Sequence, residues 1–337
     1  MKSPSFRRLL LVIFLVNSLV SPTYAEREQM SQEFLKEDCR GLIVGVLTWQ
    51  DKSLSPFSNK LRKDKELHEI LLSRGAKKEN LKLLLDKEAT LESMRQSLKE
   101  LVAQSSAQET FVFYYAGHGL KGDGGKFYFA NNDIQSDKPQ ESGFCLDYLV
   151  SALGDTFKGE RVILLADCCY SGGLTEVAQK LSQKGKKVLA LTSAAASNAS
   201  TGNWTYSQTI IDGLRAELFA DVDGDGQITV YDLKDEVSRA MRYGERQLFG
   251  YALHGLDEKL CFNDAKEHGP KKLIAAWAKK RKYRPGDYLR VQEKPDGRFF
   301  VARLLPGGTK EKVAVRFYEY NKNRQILVGK EQVEAIK

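Results

Sequence analysis

Two side chains with the chemistry of a thiol hydrolase stand at the ends of two apolar runs. Phe111-Val-Phe-Tyr-Tyr115 is closed by Gly117-His118-Gly119, and Val162-Ile-Leu-Leu-Ala166 by Asp167-Cys168-Cys169-Tyr170-Ser171-Gly172. A thiol near pKa 8.5 is mostly protonated at neutral pH, so a cysteine nucleophile needs a neighbour that removes its proton. Of the four histidines only His118 follows a strand-like apolar run; His68 falls in a helix-like stretch, and His254 and His268 in late segments. The pair predicts Cys169 as nucleophile and His118 as base. Gly119 leaves an N–H unobstructed beside the base, and Gly172-Gly173 allow a sharp turn after the cysteine, so the amides there offer an oxyanion hole. The alternative for the same residues is packing, since cysteine is often buried and glycine commonly ends a strand.

Such residues need a frame that brings both run ends to one edge. Strands are expected at Leu42–Leu47, Leu81–Leu85, Thr110–Ala116, Arg161–Ala166 and Lys187–Leu191, with helical patterns between them. The clearest helix starts at Thr90, an N-cap, and places Met94, Leu98, Leu101 and Val102 on one face. Strands alternating with helices predict an α/β fold with a parallel-dominated sheet flanked by helices, whose strand carboxyl ends carry the chemistry.

At 337 residues the chain has room for a second domain. Lys2, Arg7 and Arg8 precede the apolar run Leu9–Val16, and Thr23-Tyr24-Ala25 presents small residues where a signal peptidase reads. Residues 1–25 are therefore expected to be a cleaved export signal and the mature chain periplasmic or secreted, without an integral membrane segment. An uncleaved anchor is the rival, but the run is broken at Asn17 and Ser18, short of the ~20 apolar residues a span needs. Export puts five cysteines in an oxidising compartment. Cys39 pairing with Cys145 or Cys261 stays open, and Cys168 reads as a buried structural residue. Charge is uneven: residues 266–337 hold 19 Lys and Arg against 8 Asp and Glu, whereas residues 26–265 hold 30 against 36.

The ordered set of strand, His-Gly, strand and Asp-x-Cys-x-Ser-Gly resembles the caspase-like cysteine peptidases, in particular the metacaspase and bacterial caspase-homologue branch. The resemblance spans roughly residues 39–245 and includes Gly41-Leu-Ile-Val-Gly-Val46, the helix from Asp64 to Gly75, and the His118 and Cys169 motifs. It implies peptide hydrolysis through a thioester on Cys169, with the Gly119 and Cys169 amides binding the oxyanion. It implies that Asp167 lines the pocket for the residue before the scissile bond, which favours Arg or Lys there. Asp64 falls at a second pocket acid of that branch, or is a helix-start carboxylate favoured by the dipole. Ser193, at the end of the fifth strand, and Trp204 are further substrate-binding candidates. Trp204 and Tyr206 are open between groove walls and core. The acidic calcium site many metacaspases carry after the histidine is not evident, since Asp123, Asp133, Asp137 and Glu141 are scattered.

A different stretch has metal-ligand spacing. From Asp221 to Asp232 the sequence follows an EF-hand loop, with Asp221, Asp223 and Asp225 at positions 1, 3 and 5, Gly226 at the turn, the Gln227 carbonyl at 7 and Asp232 at 12. Helical patterns at Ser207–Leu218 and Val230–Met241 flank it. Ca²⁺ is the expected ion and no organic cofactor is expected; an Asp-Gly turn without metal is the alternative.

From Tyr283 the pattern changes to short alternating runs and turn signals, Gly286-Asp287, Pro295-Asp296-Gly297, Pro306-Gly307-Gly308 and Asn321-Lys322-Asn323. The segment resembles Tudor or SH3-like modules. The expected organisation is a signal at 1–25, a peptidase domain at 39–262 holding the loop at 221–232, a basic linker at 263–282, and a small β-barrel at 283–337. Tyr288, Phe299, Phe317 and Tyr318 with the basic residues suit an anionic polymer or a protein partner, or form a solvated face. The leading expectation is an exported endopeptidase cleaving proteins after Arg or Lys. The competing one is a catalytically silent scaffold whose barrel binds a partner.

Overall fold

The computed structural model describes residues 35–197, 203–217, 220–264, 275–292, 297–317 and 325–336. The expected export signal, half of the linker, Tyr318 and the Asn321–Asn323 turn lie outside the described residues. In chain order, β1 (Cys39–Gly45), α1 (Lys63–Ser73), β2 (Leu81–Leu85), α2 (Leu91–Ala103) and β3 (Thr110–Ala116) lead into a small sheet of β4 (Gly119–Lys121), β5 (Phe127–Phe129) and β6 (Phe144–Cys145). There follow β7 (Arg161–Asp167), α3 (Gly173–Gln183), β8 (Lys187–Thr192), α4 (Thr205–Leu214), β9 (Gln227–Thr229), α5 (Val230–Arg239), β10 (Gly250–His254) and β11 (Cys261–Asp264).

The central sheet has the order β10-β8-β7-β3-β1-β2, parallel except for β10. Its five expected strands form close to the expected bounds. β10 was not expected, and the reason is burial: at the sheet edge it is half-exposed along most of its length and needs no continuous apolar run. β1 and β3 are buried at every residue, with alternate side chains feeding two cores. Leu42, Phe113, Tyr115 and Leu164 pack with α2 and α3 on one face; Ile43, Tyr114, Leu165 and Leu189 pack with α1, α4 and α5 on the other. α2 starts as expected, with the Thr90 hydroxyl accepting the Ser93 N–H and Met94, Leu98, Leu101 and Val102 buried. α4 ends at Leu214, short of the expected Leu218.

All five cysteines are free thiols, so neither Cys39 pairing forms. Cys39 lies in the central sheet, Cys145 in the small β4–β6 sheet and Cys261 beside β9, and those separate sheets do not bring the sulfurs together.

The tail forms β12 (Tyr288–Gln292), β13 (Phe299–Gly308), β14 (Val313–Phe317), β15 (Gln325–Val328) and β16 (Val333–Ala335). They make one antiparallel sheet, β15-β14-β13-β12-β16, over a core that includes Leu289, Val291, Leu304 and Val315. This sheet docks on the first part through arginines. Arg303 and Arg316 are paired across β13 and β14; Arg303 forms an ion pair with Glu236 of α5, and Arg316 Nη1 lies 2.6 Å from Asp212 Oδ2 of α4. Arg303 and Glu236 are almost wholly buried, so each charge depends on the other for solvation. Arg303→Met is therefore expected to lose about 3–5 kcal/mol of stability in urea denaturation, and adding Glu236→Met to restore most of it.

Candidate active site

Register brings the two motifs together. β3 pairs with β7 so that Ala116 faces Asp167, and His118 and Cys169 each lie two residues beyond that pair. The Gly117 N–H bonds to the Asp167 carbonyl at 3.4 Å, which holds the two strand ends side by side. Continuous burial of both strands requires the apolar runs, and the chain leaves the sheet where those runs stop.

His118 is held by contacts that no motif announces. Its ring packs against Trp49 and Phe57, each with a ring centroid 4.5 Å away, and those two rings also meet edge to face at 5.8 Å. Its Nε2 is 2.9 Å from the Ser55 carbonyl. A carbonyl only accepts, so the proton sits on Nε2 and Nδ1 is left as the basic nitrogen. Burial lowers the imidazole pKa, opposed by the Ser55 carbonyl, and the ring is neutral at pH 7. The Tyr115 hydroxyl donates toward the carbonyls of His118, at 2.9 Å, and Ala130, at 3.0 Å, and anchors the backbone on which the imidazole stands.

The adjacent cysteines differ as expected. Cys168 is 2 % exposed and burial pushes its thiol far above the ordinary range, which disqualifies it as a nucleophile. Cys169 is half-buried and lines a cleft with Asp167, Leu47, Phe57 and Trp204 among its walls. The chain turns directly after it through Tyr170, whose φ of 53° is left-handed, a conformation that costs a non-glycine residue about 1–2 kcal/mol.

Gly119 is required by proximity: a Cβ there would lie 1.8 Å from the Cys169 carbonyl oxygen. Its N–H is also spare. Ala130 donates to the His118 carbonyl at 3.0 Å, and bonded and unbonded positions alternate in an antiparallel pair. Gly119, opposite Phe129, therefore directs its amide away from β5. Gly172 has another reason than the expected sharp turn. Its φ is an ordinary −58°, but a Cβ would meet the Ala196 nitrogen at 2.2 Å.

Asp167 is 9 % exposed and accepts from the Ser207 hydroxyl at 2.6 Å and its N–H at 3.3 Å. Burial pushes its carboxyl up to about 7, against the pull of those hydrogen bonds. Trp204 lines the cleft, whereas Tyr206 is wholly buried and bonds through its hydroxyl to the Leu191 carbonyl.

Two expected pocket residues do not line the cleft. Ser193 is wholly buried and its hydroxyl accepts the Cys168 N–H at 3.1 Å, so it supports the turn from beneath. Asp64 is likewise buried and is ion-paired with Arg62 at 2.6 Å.

In the acidic loop Asp221, Asp223 and Asp225 bring carboxylate oxygens within 4.8 Å of one another, the gathering of metal-ligand type among the described residues. Gln227 opens β9, its N–H bonded to Asp225 at 2.9 Å. Asp232 does not join them. It caps α5, one oxygen accepting the Thr229 N–H at 2.8 Å and the other the Val222 N–H at 2.8 Å. Thr229-x-x-Asp232 is a capping box, and the helix start claims the carboxylate.

No helix of the described residues is long and apolar enough to cross a membrane. A search of curated proteins finds no match. A crystal structure of a Geobacter sulfurreducens protein, a structural genomics target, shares 14 % identity over 68 % of this chain and 99 % of its own, with a TM-score of 0.44, too slight a likeness to argue from. The caspase domain profile matches residues 54–261, a span that contains both motifs and every described wall of the cleft except Leu47. The chain belongs to the caspase-domain family of cysteine peptidases.

Proposed function

We propose that the chain is an exported endopeptidase that cleaves after Arg or Lys, with Cys169 as nucleophile and His118 as base. The observation that carries this reading is the cleft in which Cys169 and Asp167 are neighbours on one strand end, under apolar walls. A basic side chain placed against Asp167 sets its backbone carbonyl near Cys169. Nδ1 of His118 takes the thiol proton, and the sulfur attacks the carbonyl carbon. The amides of Gly119 and Cys169 bind the developing oxyanion. The imidazolium gives its proton to the leaving amine, and the thioester is hydrolysed by a water that the neutral imidazole deprotonates. Fluorogenic peptides ending in Arg, Lys or Asp test the reading: turnover of the first two alone supports it, and preference for Asp overturns it.

Lys180, Lys184, Lys186 and Lys187, the first basic residues after the cysteine motif, lie on regular elements or a short turn rather than on a long loop open to self-cleavage. They lie on α3, β8 and the short turn between them, and their ammonium groups are held by Asp147, Asp155, the Phe157 carbonyl and Glu160.

The loop at 221–232 is proposed to bind Ca²⁺ through Asp221, Asp223 and Asp225, a set of hard oxygen donors suited to that ion, with a stabilising role. Calorimetric titration is expected to show binding in the parent and none in Asp223→Ala or Asp225→Ala. The tail is proposed to be a Tudor/SH3-like barrel, supported by its strand order and by the short helical turn Lys330–Gln332 before the last strand. Its surface basic residues are left for an anionic or protein ligand, while Arg303 and Arg316 serve the docking.

A further inference from the structure

Asp64 and Asp167 belong to one row of the sheet. The register sets Gly45 beside Ala116 and Ala116 beside Asp167, so the three residues stand abreast at the strand ends and face the same side. Gly45 carries no side chain, and Asp64 takes the space, since a Cβ there would lie 1.7 Å from Asp64 Oδ2. The two carboxylates therefore flank Ala116, which lines the cleft, at about two strand spacings, roughly 10 Å.

The chain fills one side of this row with its own cation. Arg62 Nη2 is 2.6 Å from Asp64 Oδ2, and its Nε is 3.1 Å from each Asp64 oxygen. The same guanidinium donates to the Gly45 carbonyl at 2.9 Å and pairs with Asp86. Asp86 also accepts the N–H of Leu47, a wall of the cleft, at 2.8 Å. Two carboxylates and a carbonyl around a planar fork are what a substrate arginine would seek.

We propose that Arg62 is a specificity-determining residue, which neutralises Asp64 behind the cleft wall and leaves Asp167 as the charge that selects a basic side chain. The inference rests on cleavage after Arg or Lys. Arg62→Gln frees Asp64 for the substrate, while Arg62→Lys keeps a cation in place.

The test is steady-state kinetics on Arg and Lys peptides from pH 6 to 8. Arg62→Gln is expected to lower KM about threefold to tenfold, with kcat moving less, and to make KM rise less steeply as the pH falls below 7. Arg62→Lys is expected to retain the parent KM, and Arg62→Gln with Asp64→Asn to lose the gain. Unchanged KM and unchanged pH dependence in a folded Arg62→Gln protein overturn the inference. Should that variant not fold, the parent decides: one ionisation near neutrality in its KM profile supports a single selecting acid, and two ionisations overturn it. A parent that cleaves no basic peptide fails the proposed function itself, a distinct outcome.

Discussion

Cys169→Ala is expected to lower kcat/KM for Arg- and Lys-terminated peptides by about 10⁴ or more, while Cys168→Ala keeps activity within a few-fold. The contrast follows from two side chains one residue apart. Cys168 points into the core, where burial disfavours a thiolate, and its loss leaves only a small cavity. Cys169 faces the cleft across from the strand end that delivers His118. The measurement is hydrolysis rate together with labelling by an arginyl chloromethylketone, which should modify the parent and Cys168→Ala but not Cys169→Ala. Substantial turnover by Cys169→Ala would remove the thiol from the mechanism. Activity absent from the parent as well, with Cys169 unlabelled, would leave the chain a scaffold.

Asp167→Asn is expected to do two opposite things. Cleavage after Arg or Lys falls by roughly 10²–10³ in kcat/KM, because a buried cation loses its partner. Stability rises. In the unfolded chain an aspartic acid ionises near 3.9, whereas folded Asp167 keeps its proton up to about 7. Between those pH values the folded chain binds the extra proton, so stability drops as pH climbs, and the loss is complete above about 7. Asparagine retains the acceptor for Ser207 and escapes the loss. The variant should thus be more stable than the parent at pH 8, by on the order of 2–4 kcal/mol, and no different at pH 4. Urea midpoints at pH 4, 6 and 8 read this directly, and equal stability at pH 8 would contradict the account.

The strand ends were legible in sequence because a parallel strand buried on both faces must be apolar throughout, and the chemistry begins where that requirement lapses. For the same reason the burial of Cys168 beside a more exposed Cys169 was legible from alternation along the strand. Ser55, Trp49 and Phe57 were not. A backbone carbonyl carries no residue signature, and the aromatic rings reach His118 from a connection after β1 that has no periodicity. That Ser193 would lie beneath the turn and Asp64 behind Arg62 was not legible, because a motif locates a strand end without saying which side of it meets solvent. At Asp232 the sequence held two valid patterns, a loop's twelfth position and a helix cap, and the unpaired amides at the start of α5 outweighed the loop.

Helix α4 makes the assembly hard to dismember. Its first turn supplies the Ser207 hydrogen bonds to Asp167, its last turn presents Asp212 to Arg316, and every residue along it is buried. The tail and the floor of the cleft are thereby joined through one helix. A chain cut after residue 262 would also strip Asp212 and Glu236 of their arginine partners and uncover a face shaped to be covered.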